Sequence, residues 1–282
     1  MNPETMIRVG DVELCVQTAG DRGDPAILLI HGAAASMIGW EEELCDRLAA
    51  GGRFVIRYDQ RDTGRSTVSR GGHPAYDMRD LADDALAIAD ALGLDTVHVV
   101  GRSMSGGTAL ILAVDHPDRV ASVTFMSTTT GDSGLPGPSF AFRDAVEAPA
   151  PAVDDHDAWV EHVVAVIRAY DGDSTLFDEV HVRRLVELDL ARSTDPGAAN
   201  NHFAIDTPGP VHGGFGHVGV PALVVHGELD PVFPLPHGYA LRDAIPGARL
   251  VVLEGAGHEL PAARWDEFTA ALLEHTAPRG AR

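Results

Sequence analysis

Positive charge is scarce in this chain: 21 Lys and Arg stand against 42 Asp and Glu, a formal net charge of -21. Such an excess repels nucleic acid and anionic membrane surfaces, and no basic stripe interrupts it, so neither is expected as a partner. Cysteine is scarcer still. Cys15 and Cys45 stand alone, outside any C-x-x-C or metal-ligand spacing, which excludes a disulfide framework and leaves two reduced, partly buried thiols. Apolar runs stay well short of the ~20 residues that a membrane span needs. The opening MNPETMIRVGDVEL has no charged segment leading into an apolar one, so a cytoplasmic location is the expectation. Internal repeats and low-complexity tracts are absent, which excludes a solenoid.

What is present is an ordinary globular composition, 45% hydrophobic and 22% charged over 282 residues, enough for a large α/β core. Short apolar, β-branched runs read as buried parallel strands: AILLI (26–30), RFVIRY (53–58), TVHVV (96–100), VASVTFMS (120–127), PALVVHG (221–227) and RLVVLEG (249–255). Between them lie amphipathic segments such as Asp77 to Leu92, where Leu81, Ala85, Ile88, Ala89 and Leu92 share one face. This alternation stops after Ser127 and resumes at Val220, and a gap of about 90 residues is too long for a loop. Its first part, GDSGLPGPSF and EAPAPAVDD, reads as linker, while Asp157 to Tyr170 and Phe177 to Ala191 are helical. The expected organisation is a core of residues 1–131 and 220–282 interrupted by a helical cap, 132–219.

Chemistry concentrates at VVGRSMSGGT (99–108). Gly101-Arg102-Ser103-Met104-Ser105 follows a strand and opens a helix, the setting of a nucleophile elbow in which small residues flank a strained serine. The frame also slides by two, because Ser103 and Gly107 flank Ser105. Strand placement favours Ser103: it falls at the turn, whereas Ser105 lies in the first helical turn. A serine needs a base to take its proton, and that base must be oriented. HGELDP places Asp230 just past one strand and GAGHEL places His258 just past the next, in the order Ser, Asp, His. Glu228 and Asp132 are reserve acids. For an oxyanion, IHGAAAS offers the Ala33 N–H after the His31-Gly32 bend, and the elbow offers the Met104 N–H. His31 reads as a structural hydrogen bonder in that turn.

Two motifs lead elsewhere only on paper. GFGHVG (214–219) matches a dinucleotide-binding string but precedes a strand and opens no helix. His212 and His217 have no acidic or H-E-x-x-H company, so no metal is expected. No cofactor is expected either.

With HGAAAS, GRSMSGG, HGELDP and GAGH in hand, the chain resembles the α/β-hydrolase superfamily over nearly all of residues 7–276 outside the cap. The loop IRYDQRDTGRST (56–67) is similar to that of a narrower group, the aclacinomycin methylesterase-like actinobacterial hydrolases. The resemblance implies an α/β-hydrolase fold, a mostly parallel sheet flanked by helices with a helical cap inserted after the sixth strand. It also implies Ser103, Asp230 and His258 as triad, with Ala33 and Met104 as oxyanion donors. Ser105 departs from the glycine usual at its position.

Asp59, Arg61, Asp62 and Arg65 read as a network holding the 56–67 loop, and Arg102 is placed to reach those acids or a substrate carboxylate. The expected activity is hydrolysis of a carboxylic ester, a methyl ester or lactone of a hydrophobic or polyketide-like small molecule, through an acyl-enzyme. Trp40, Met104, Phe140, Phe142 and Trp159 are candidate pocket walls, though each also fits core or cap packing. Alternatives on the same fold are a perhydrolase, a carbon-carbon bond hydrolase, a cofactor-free tailoring enzyme or a ligand-binding protein.

Overall fold

A computed structural model describes residues 1–69 and 74–277. The expected core segments also take in 70–73 and 278–282, which lie outside the described residues. AILLI forms β3 (Ala26–Ile30), every residue buried, near the middle of an eight-stranded sheet. Around it lie β4 (Phe54–Tyr58), β5 (Val97–Arg102), β6 (Val120–Met126), β7 (Ala222–Gly227) and β8 (Arg249–Leu253), all parallel. Two strands that the sequence reading passed over, β1 (Thr5–Val9) and β2 (Val12–Ala19), add antiparallel, giving the order β1-β2-β4-β3-β5-β6-β7-β8. Their two-residue turn, Gly10-Asp11 with Gly10 at φ 56°, is a hairpin signal; β1 lies at the sheet edge and lacks the continuous apolar run of a buried strand.

Successive side chains of a strand face opposite ways, so the apolar strands need cover on both sides. Leu28, Ile30 and Val99 pack with α2 (Met78–Ala91), α3 (Ser105–Asp115) and α7 (Pro236–Ala244). Ile27, Leu29 and Val100 pack on the other face with α1 (Glu42–Ala50) and α8 (Trp265–His275). The α2 boundary follows its cap: Asp77 accepts from the Arg79 N–H at 2.7 Å while its own N–H donates to Asp80 at 2.8 Å, an arrangement worth about 1 kcal/mol. Cys15 and Cys45 are buried and free, and burial raises both thiols to about 12.

Between β6 and β7 run α4 (Phe140–Val146), α5 (His156–Asp171) and α6 (Glu179–Arg192), with 3-10 turns at Pro196–Phe203 and Phe215–His217. α4 lies between the two strings read as linker, meeting the first at Phe140; only its Phe142 is buried, and seven residues are too few to show a helical period. α5 and α6 share a small core of Val160, Val164 and Val186. Polar contacts tie α6 to the sheet side: His181 Nε2 lies 2.8 Å from Glu41, Asp189 accepts from Ser36 Oγ at 2.5 Å, and Arg192 pairs with Asp59 at 2.8 Å. No helix among the described residues is long and apolar enough to cross a membrane.

Candidate active site

β5 runs two residues past its expected end, to Arg102, and the chain then reverses into α3 through Ser103 at φ 52°. A serine in the left-handed region costs on the order of 1–3 kcal/mol, which the surroundings must offset. They do so through the backbone: Ser103 N–H donates to Met126 O at 2.9 Å, and Ser103 O accepts from Gly106 N–H at 2.9 Å and Thr128 Oγ1 at 2.8 Å. A Cβ on Gly101 would overlap the Ser105 carbonyl and the Ala109 side chain, so glycine is required there for α3 to lie against β5.

The two serines have different fates. Ser103 Oγ lies 2.9 Å from His258 Nε2, and His258 Nδ1 lies 2.8 Å from Asp230 Oδ2. A carboxylate only accepts, so Nδ1 carries the hydrogen and Nε2 is left to accept from the serine hydroxyl. Ser105 is fully buried and its hydroxyl donates to His31 O at 2.5 Å, sealed away from the histidine. Gln60 Nε2 donates to the same carbonyl at 2.9 Å.

Asp230 is fixed from the other side as well, because its Oδ1 accepts from the Val232 and Phe233 N–H groups at 2.8 and 2.9 Å. Burial opposes its charge, yet His258, His226 and the Phe233 N–H together hold the carboxyl below the ordinary range. The reserve acids do not reach this chain of bonds. Glu228 accepts from Gly255 N–H at 2.9 Å, and Asp132 from Thr130 Oγ1 at 2.7 Å.

The turn carrying Ala33 has Ala34 at φ 55°, and Ala34 N–H donates to His202 Nδ1 at 3.1 Å. His202 Nε2 in turn donates to Arg61 O at 2.7 Å, and burial lowers its pKa, so the ring stays a neutral wedge between two loops. Neither Ala33 N–H nor Met104 N–H donates to another described residue. His31 is structural: burial, reinforced by Arg102, drives its pKa down to about 3, and the ring edge meets Trp40.

His258 has two aromatic rings beside it, Tyr170 at 5.3 Å and Phe233 at 5.7 Å between centroids, and its N–H donates to Tyr170 O at 2.9 Å. Phe142 meets Tyr170 edge-on. Of the expected pocket walls, Trp40 is core, stacked on Phe268, and Phe140 is 79% exposed with Arg143 over its ring. Met104 packs near Tyr76, Leu81 and Ile205, and Trp159 is buried beside His162. The 56–67 loop is held as expected. Asp59 pairs with Arg192, Arg61 with Asp84, Arg65 with Glu4, and Asp62 accepts from Tyr76 and Asn201. Arg102 meets neither those acids nor open space; it pairs with Glu259 at 2.6 Å. GFGHVG forms a short 3-10 turn ahead of β7, His212 pairs with Asp115, and His217 accepts from Gly214 N–H.

Asp171, at the end of α5, lies against the His258 loop with Oδ1 buried and unpartnered. Burial, then the neighbouring Glu259, raises its carboxyl to about 7. The folded chain therefore keeps a proton that the unfolded chain loses near pH 4, so stability falls as pH rises from about 4 to 7 and is level beyond. Asp171→Asn removes this loss. Its stability relative to the parent is expected to rise by about 2–4 kcal/mol between pH 4.5 and 8, read by thermal unfolding at both; a pH-independent difference would rule the account out.

An elbow serine after a parallel strand, with histidine and acid beyond the last two strands, places the chain in the α/β-hydrolase family, to which it belongs. The profile described as alpha/beta hydrolase fold matches residues 25–156, and one described as TAP-like protein matches 204–266. Rhodomycin D methylesterase of Streptomyces sp. is 35% identical over 97% of this chain and 98% of its own length. A 2-hydroxy-6-oxononadienedioate/2-hydroxy-6-oxononatrienedioate hydrolase of Dechloromonas aromatica is 26% identical, over 94% and 90%. Among solved structures, the enol-lactonase of Burkholderia xenovorans superposes with TM-score 0.76 at 26% identity, covering 97% of this chain and 100% of that one.

Proposed function

We propose that this chain is a serine hydrolase of carboxylic esters, acting on a bulky hydrophobic small molecule, with Ser103 as nucleophile, His258 as base and Asp230 as its orienting acid. The observation that carries the reading is the Ser103 hydroxyl 2.9 Å from His258 Nε2 on a left-handed elbow. Ser103 Oγ attacks the ester carbonyl as its proton passes to Nε2, and the Ala33 and Met104 N–H groups hold the oxyanion. Collapse expels the alcohol, which takes that proton. Water, deprotonated by His258, then cleaves the acyl-serine to the free acid.

Residues 132–219 serve as the cap in this reading, with Tyr170 and Phe142 facing an aromatic acyl group beside His258. The similarity to a rhodomycin D methylesterase over nearly the whole chain supports a methyl ester. Carbon-carbon bond hydrolysis is the second reading, favoured by the likeness to the oxononadienedioate hydrolase.

Intact-protein mass spectrometry during turnover of a panel of aromatic methyl esters and lactones separates them. The ester reading expects an acyl group on Ser103 and, from methyl esters, one methanol per acid. Turnover of vinylogous 1,5-diketones with every ester left intact would transfer the assignment to the second reading.

A further inference from the structure

Arg102 is one of the largest fully buried side chains, and it sits beside the nucleophile without touching it. Its three contacts lie on two loops, one carrying His31 and the other His258 and Glu259. Nη1 lies 3.1 Å from His31 Nε2, where the oxyanion turn begins, and Nη2 donates to His258 O at 3.0 Å. The same Nη2 lies 2.6 Å from Glu259 Oε2. A guanidinium is planar and only donates, so its fork fixes the separation of the groups it joins. Serine-to-histidine proton transfer is sensitive to that separation, and a misplacement of about 1 Å costs on the order of 100-fold in rate.

We infer that Arg102 is a positioning residue that holds the His258 loop and the His31 turn in register with Ser103. Glu259 neutralises the buried charge that this requires. Burial opposes the carboxylate, but the Arg102 guanidinium holds it below the ordinary range. The inference rests on the Ser103–His258 reading.

Arg102→Met leaves Glu259 without its cation and is expected to lower the melting temperature. Arg102→Met/Glu259→Gln removes both charges and restores it. A mere charge plug would regain activity with stability. A positioning residue would not: the double variant is expected to keep kcat 10- to 100-fold below the parent, with KM within about threefold, and Arg102→Lys to recover only part of the loss. Labelling by diisopropyl fluorophosphate, located by mass spectrometry, is expected to slow in step with kcat. A stably folded double variant with parental kcat and labelling rate would overturn the positioning role and leave the nucleophile standing. A parent enzyme that is not labelled at Ser103 would overturn both. Should Arg102→Met fail to fold, Arg102→Lys and the double variant still decide.

Discussion

Ser103→Ala is expected to lower kcat on p-nitrophenyl butyrate by on the order of 10^4- to 10^6-fold with little change in KM, while the protein folds as before. The size of the loss follows from the role. Without the hydroxyl there is no acyl-enzyme, and what remains is binding and the oxyanion donors. Folding should survive because the elbow is held by the Ser103 backbone, through Met126 O, Gly106 N–H and Thr128, and not by its side chain. Ser105→Gly is the matched control. It removes one of two donors to the His31 carbonyl and leaves Gln60 in place, so at most a tenfold loss is expected. Reversal of the two results, with Ser105→Gly dead and Ser103→Ala active, would move the nucleophile.

Asp230→Asn is expected to cost about 10^4-fold in kcat, and the hydrogen bonds around the carboxylate say why. Oδ1 faces two donors, the Val232 and Phe233 N–H groups, so an asparagine must turn its carbonyl oxygen toward them. Its amide nitrogen then faces His258 Nδ1 and donates to it. Nδ1 becomes an acceptor, the hydrogen moves to Nε2, and the ring can no longer take the Ser103 proton. The fold should persist, because both backbone donors keep a partner. Asp230→Ala would strand them and is expected to lower stability as well, by about 1–3 kcal/mol for each unpaired group. A loss below tenfold in Asp230→Asn would show that another group orients His258.

Much of this was legible before any coordinates. The β3, β5, β6 and β7 runs are short, apolar and flanked by turn residues, and each appears within two residues of its expected ends. The hairpin of β1 and β2 is less legible because β1 lies at the sheet edge and carries no continuous apolar run. Tyr170 and Phe233 are illegible for another reason: an aromatic on a helix face or in a loop shows no sign of the ring it will meet.

That Ser103 and not Ser105 sits at the turn was legible in the chain alone, because it depends on neighbours along the backbone: a glycine two residues before, a strand behind and a helix ahead. Asp230 and His258 could be named for the same reason, since each follows a strand whose pattern is local. What the tertiary structure alone decided is how those pieces are held. His202 braces the Ala34 turn from 168 residues away, and Arg102 joins His31 and His258 across 71 and 156 residues. No local pattern encodes such contacts, because a buried hydrogen bond depends on the distance and direction between groups that only the packed sheet and the segment over it bring together.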